Sequence, residues 1–156
     1  MEPVPTVRRA TPADARAVAD VYLRSRHESV PAIPPPVHSD DDIRRWFATV
    51  VLPEREVWVA NDGTDVLALL VLEGEWVDQL YVDPPWFGRG LGSALLARAQ
   101  ARRPGGLQLW AFESNHRAHR FYERHGFVLE EKTDGSGNEE RAPDRRYRWG
   151  PATRRR

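Results

Sequence analysis

From Pro84 to Leu96 the chain reads PPWFGRGLGSALL, with glycines at positions 88, 90 and 92 just ahead of an apolar helical pattern. Glycine loses more conformational freedom on folding than any other residue, so three of them at a helix mouth call for a cause. One cause is an anion: backbone N–H groups at a helix N-terminus bind phosphate, and positions without side chains let it come close. The other is a tight strand-to-helix turn that holds nothing. On the glycines alone the two stand level, and the surrounding elements have to separate them.

Just before the turn, WVDQLYV is β-branched and aromatic, and apolar on both faces toward its end, as a central covered strand is. Upstream, TVRR is a short strand. Thr11 then caps a helix with Pro12 in its first position, Asp14 near its positive end, and Val18, Val21 and Tyr22 as its apolar stripe. Ser29 to His38, SVPAIPPPVH, is too proline-rich for a helix or a central strand. Ser39 caps a second helix, with Asp40, Asp41 and Asp42 in its first turn and Ile43, Trp46, Phe47 and Val50 at helical spacing. EVWVA and VLALLVLE are strands joined by the hairpin chemistry of NDGTD. Downstream, a helix over Leu91 to Arg103 ends at PGG, and LQLWAF is a strand. A short helix from Asn115 to His125 stops at Gly126, and FVLEEKT and RRYRW are strands flanking the polar loop DGSGNEERAPD. The pattern predicts a mixed α/β domain over residues 4–150, its sheet mostly antiparallel with helices on both faces, followed by a basic tail at 151–156.

Two familiar glycine turns are excluded. The dinucleotide-binding G-x-G-x-x-G has Ser93 in place of its third glycine, with Glu113 near the place of its ribose acid. It fails on topology, because five elements precede the strand that feeds the turn and no second mononucleotide half follows. A Walker A loop needs Gly-Lys-Ser/Thr, which is absent.

Composition narrows the class further. The 156 residues are 40% hydrophobic and carry 23 basic and 23 acidic side chains. Zero net charge provides no global drive toward nucleic acid, and no run of 18 apolar residues exists to span a membrane. The N-terminus has no signal-like apolar stretch, so the cytoplasm is expected. Without cysteine there are no disulfides, thiolate metal sites or Cys nucleophile. His116 and His119 lie three apart on a helix with Arg117, Arg120 and Arg124, which reads as a solvated basic face rather than a metal site.

Taken together, LYVDPPWFGRGLGSALL and NHRAHRFYERHGF resemble the two signatures of the GNAT superfamily of acyl-CoA-dependent N-acyltransferases. The first is similar to its acyl-CoA motif, Gln/Arg-x-x-Gly-x-Gly/Ala after a strand. The second matches at Asn115, Ala118, Phe121, Tyr122, Gly126 and Phe127. The one departure is Phe87, where the family has Gln or Arg. The resemblance implies acetyl-CoA as cosubstrate, no metal, and direct attack by a primary amine in a ternary complex. It implies that Phe87, Gly88, Arg89, Gly90, Leu91, Gly92 and Ser93 surround the pyrophosphate. It also implies that Leu80, Tyr81 and Val82 pair with pantetheine, with the Leu80 N–H facing the acyl oxygen. Asn115, Ala118 and Phe121 belong to the same cofactor site, and Tyr122 is the implied acid toward the leaving sulfur.

The chemistry agrees for the acid: a phenol of pKa about 10 is protonated at neutral pH and can donate to a thiolate of pKa about 8.5. The base is less marked. Period two places Asp78 on the face of Leu80 and Trp76, making it first choice, with Glu75 second. Glu28, Glu139, Glu140 and Asp144, in the two loops expected to wall the acceptor, suit a cationic amine, whether a small molecule or a peptide. A homodimer is left open. The rival class, a non-catalytic acyl-CoA sensor, needs the glycines and Asn115 but neither Tyr122 nor a base.

Overall fold

In the computed structural model, which describes residues 4–151, seven strands form one sheet in the order β1-β2-β3-β4-β5-β7-β6. They are β1 (Thr6–Arg9), β2 (Glu56–Asn61), β3 (Val66–Glu73), β4 (Trp76–Val82), β5 (Leu107–Phe112), β6 (Val128–Thr133) and β7 (Asp144–Trp149). The helices are α1 (Ala15–Glu28), α2 (Asp40–Trp46), a short α3 (Leu52–Glu54), α4 (Leu91–Arg102) and α5 (His116–Arg124). The expected mixed α/β class holds. The predicted tail lies outside the described residues from 152 onward.

Of the two helix starts expected before β2, the one at Ser39 is as signalled, whereas Thr11 and Pro12 open a single 3₁₀ turn, Pro12–Asp14, that leads into α1. The Asp14 carboxylate accepts from the Thr11 backbone N–H at 2.8 Å and from Arg8, and the Ser39 hydroxyl accepts from the Asp42 N–H at 3.1 Å. After α2 the chain passes through a widened π turn over Phe47–Val51. The i→i+5 spacing rotates the apolar stripe by one residue. Val51, fully buried, therefore replaces the expected Val50 in the core.

The sheet divides two cores. On one face α1 and α2 cover Val57, Val59, Leu69 and Val71; on the other α4 covers Leu70, Leu72, Leu107 and Leu109. β3 is buried continuously from Val66 to Leu72, as a strand covered on both sides must be. β4, expected to be equally covered, is only half-buried from Asp78 to Val82. Its register explains part of this. Val71 of β3 faces Gln79, but the next residue, Leu72, faces Val77, so Asp78 is a bulge. The bulge reverses the alternation: Val77 joins Leu80 and Val82 on the α4 side, while Tyr81 packs against the α1 side. Asp78 is thereby turned off the Leu80 face to which simple alternation assigned it.

Candidate active site

Every strand pairing is antiparallel except β4 with β5, and that parallel pair is barely formed. Trp76 opposite Gln108 is its sole register match, with the Gln108 N–H donating to the Glu75 carbonyl at 2.8 Å. Beyond that point the strands part, and a cleft of about 1080 Å³ opens between residues 77–82 and 109–112. Buried backbone polar groups need partners, so a split sheet presents donors and acceptors to whatever enters. The Asp83 N–H donates back to Leu67 of β3 at 2.8 Å. Alternation along β4 then directs the Tyr81 N–H to β3 and the N–H groups of Leu80 and Val82 into the split.

At one end of the cleft lies the glycine turn. Gly88 and Gly90 have φ of +75° and +85°, the left-handed region that side chains disfavour. Gly90 is the N-cap of α4, whose first internal bond runs from the Ala94 N–H to the Gly90 carbonyl at 3.0 Å. The N–H groups of Leu91, Gly92 and Ser93 thus have no acceptor within the helix, and all three residues line the cleft. Gly92 is there for a different reason: a Cβ on it would lie 3.4 Å from Cζ of Phe121, so α4 and α5 meet closely at this point. Phe87 lines the cleft as well. Arg89 is the exception in this segment, since it is stacked on Trp86 at 5.0 Å from the ring and is not part of the lining. The resemblance placed it around the pyrophosphate; here it rests on Trp86, itself a lining residue.

On the opposite wall Asn115 caps α5, its side-chain oxygen accepting from the Ala118 N–H at 3.2 Å. That leaves its Nδ2 protons for the cleft. Ala118, Phe121 and Tyr122 follow on the same wall. Tyr122 packs among Phe121, Phe127 and Tyr147 at ring separations of 5.2, 5.5 and 6.4 Å. Burial holds its phenol well above the ordinary value, and Tyr81 adds to the shift, so it enters the cleft as a protonated donor.

The two candidate bases separate. Asp78 lines the cleft and accepts from Arg55 at 2.6 Å. Burial raises its carboxyl above the usual range although Arg55 pulls the other way. Glu75 lies at the closed end, where the strands still pair. It accepts from the Gln108 side-chain amide and pairs with Arg148 at 4.0 Å, outside the cleft lining. Glu75 is therefore not positioned as the base.

The expected acceptor loops meet across the cleft mouth, but their acids are partly committed. Glu139 pairs with His38 at 2.7 Å, and Glu140 with Arg26 at 3.6 Å. Glu28 and Asp144 do line the cleft. Arg26 has no sequence signal, yet it is only 3% exposed. It donates to Tyr22 at 2.7 Å and to the Pro34 carbonyl at 2.9 Å, tying α1 to the proline-rich segment. The same segment is fastened to the far wall by Ser114, whose hydroxyl donates to the Ala32 carbonyl at 2.5 Å. Tyr22 and Pro34 lie close to Arg26 in the chain, but Glu140 does not, and Ser114 and Ala32 are 82 residues apart, so no local pattern announces that these segments close on one another.

His119 also departs from expectation. It is buried, 5% exposed, bonded to the Glu113 carbonyl and the Tyr147 hydroxyl, and is not part of a solvated face. Among the described residues no cluster of three His, Cys, Asp or Glu is placed to hold a metal ion, and no helix is long and apolar enough to cross a membrane.

Residues 53–129 match the family described as acetyltransferase (GNAT) domain. The chain is 37% identical over 79 residues to the peptidyl-lysine N-acetyltransferase YjaB of Salmonella typhimurium, covering 50% of this chain and 54% of that protein. It spans about half the length of the curated relatives it matches. Among solved structures, a GCN5-related N-acetyltransferase from Rhodopseudomonas palustris superposes with a TM-score of 0.74 at 24% identity, covering 96% of this chain and 98% of that one. YncA from Salmonella typhimurium, a structure with acetyl-CoA, gives a TM-score of 0.70 at 21% identity over 97% of this chain and 96% of that one. At these identities the two likenesses concern the fold.

Proposed function

We propose that the chain, whose residues 53–129 match the GNAT acetyltransferase domain and whose fold is that of a GCN5-related N-acetyltransferase, is an N-acetyltransferase, moving the acetyl group of acetyl-CoA to a primary amine in a ternary complex. The observation that carries this reading is the split between β4 and β5. It is a gap in a sheet, edged by the N–H groups of Leu80 and Val82, that runs from the glycine turn to Tyr122. An extended amide chain adds to such an edge as a strand does. The free N–H groups of Leu91, Gly92 and Ser93 suit a pyrophosphate, and the Asn115 amide suits a carbonyl along the arm. That YncA has been solved with acetyl-CoA supports the same cofactor here.

Acetyl-CoA, when bound, supplies the thioester carbon that the amine attacks. The Leu80 N–H stabilises the oxygen that gains charge in that attack. Asp78, its carboxyl raised by burial, takes the proton from the incoming ammonium directly or through water. Tyr122 gives its proton to the departing sulfur as the C–S bond breaks, and the second proton that the nitrogen sheds on becoming an amide restores the phenol, directly or through water. Holding two substrates in line also lowers the barrier, by up to ~7–11 kcal/mol in well-oriented systems. The amine is small or peptidic. The peptidyl-lysine activity in the names of three relatives favours the second.

The test is thiol release from acetyl-CoA against a panel of small amines and lysine peptides, with calorimetry for the cofactor. Protein-dependent release with at least one amine is expected. Cofactor binding without release across the panel would point to the sensor class instead, and no cofactor binding would end the reading.

A further inference from the structure

Most arginines near the sheet are held by carboxylates: Arg24 by Asp83, Arg55 by Asp78, Arg145 by Glu113 and Arg146 by Glu130. Three arginines on one wall of the cleft are not. Arg117, Arg120 and Arg124 stand at i, i+3 and i+7 on α5, which places them on one face of the helix. All three are exposed and line the cleft, and none forms an ion pair among the described residues. Glu123, the one acid of α5, is turned away and accepts from the Tyr147 hydroxyl at 3.1 Å. Arg117 also sits in the first turn of α5, where a cation opposes the helix dipole. A stripe of like charges in this position is unfavourable unless an anion joins it.

The stripe is also too long for one phosphate group. Arg117 stacks on Phe87 of the glycine turn, 5.3 Å from its ring, and Phe121, within the stripe, touches Gly92. The near part therefore borders the pyrophosphate seat. From Arg117 to Arg124 the helix rises roughly 10 Å, beyond the reach of a single pyrophosphate. Resting on the cofactor reading above, we infer that Arg117, Arg120 and Arg124 form a second anion seat that takes the ribose 3′-phosphate of CoA. The enzyme thereby discriminates CoA from its 3′-dephospho form. Phe87, in the place of a polar family residue, acts as the platform that steadies Arg117.

Calorimetry with CoA and with 3′-dephospho-CoA tests this in low salt, on the wild type, the triple variant Arg117→Gln/Arg120→Gln/Arg124→Gln, and Arg16→Gln as an exposed control on α1. The wild type should bind CoA at least about tenfold more tightly than the dephospho form, as one charge-assisted hydrogen bond would give. The preference should shrink with added salt. In the triple variant it should fall to about one while affinity for dephospho-CoA is nearly kept, and Arg16→Gln should keep the full ratio. Equal wild-type binding of the two ligands, or a ratio that survives in the triple variant, would overturn the inference and leave the cofactor reading standing. A triple variant that loses both ligands equally would assign the stripe a structural role and also overturn it. If the wild type binds neither ligand, it is the cofactor reading that fails.

Discussion

Tyr122 shows how one atom can be separated from its ring. The ring is wedged among Phe121, Phe127 and Tyr147, while the phenol oxygen is the only polar group the side chain brings to the cleft. Tyr122→Phe keeps the packing and removes the proton. Turnover by thiol release should drop by about 10²–10⁴, the usual contribution of a positioned acid, with cofactor affinity by calorimetry little changed. Unchanged turnover would remove Tyr122 as the acid. The glycines allow a similar separation. Gly90→Ala forces a side chain onto a φ of +85° and should cost the free protein about 1–2 kcal/mol. Gly92→Ala has ordinary helical backbone and a methyl just in contact with Phe121, so it should be neutral or gain up to ~1 kcal/mol from helix propensity. Thermal melts of the two variants without ligand decide whether the glycines differ as described.

At the scale of elements, β4 has two edges with different duties. Its β3 edge holds the sheet together, while its β5 edge is open past Trp76. Proline removes a backbone N–H, so it distinguishes the edges. Tyr81→Pro deletes a bond to β3 and should lower the melting temperature strongly. Val82→Pro deletes a donor that faces the split; it should weaken cofactor binding more than it weakens the fold. A comparable loss of stability in both variants would mean that the Val82 N–H is not free for a ligand. The bulge at Asp78 belongs to this scale too. Without it, period two would have left Asp78 facing the α4 core; with it, the carboxylate reaches Arg55 on the opposite side and the lining of the cleft.

In acid the shifted groups of the whole molecule pull in opposite directions, and those that weaken the fold are the more numerous. Glu56 is partly buried, which alone would raise its carboxyl, but bonds from Arg102, Trp58 and Arg103 outweigh this and lower it to about 2. Arg145 likewise lowers Glu113 to about 2. A carboxylate depressed in the folded state stabilises it above the unfolded pKa, and that stability is lost as pH falls toward the folded value. For these two the window runs from about 4.5 down to about 2. Burial depresses His119, so protons bind the unfolded chain first once pH falls below its ordinary value near 6.5. Asp78, raised by burial, works the other way: it adds stability in acid and loses it as pH rises through its folded pKa. The melting temperature should therefore begin to fall below about pH 6.5 and fall faster below about 4.5. Glu56→Gln should flatten the lower limb; an acid limb as steep as the wild type's would mean that Glu56 contributes little.

What the sequence determined by itself was local. Ser39 and Asn115 as caps, the left-handed glycines of the turn, and the bounds of β3, β4 and β5 are each set by neighbours a few residues away, and the paired motifs pointed to the family on the same basis. Tertiary structure decided what depends on distant partners. The bulge that turns Asp78 arises from register against β3, and the exclusion of Glu75 from the strand ends that still pair. The burial of Arg26 follows from Pro34 and Glu140 closing over it, and that of His119 from Tyr147 of β7, on which α5 packs. A cap or a left-handed turn is a property of one stretch of backbone and leaves its mark in that stretch. A cleft forms where two strands fail to stay together, and the residues that line it are chosen by which segments pack on either side.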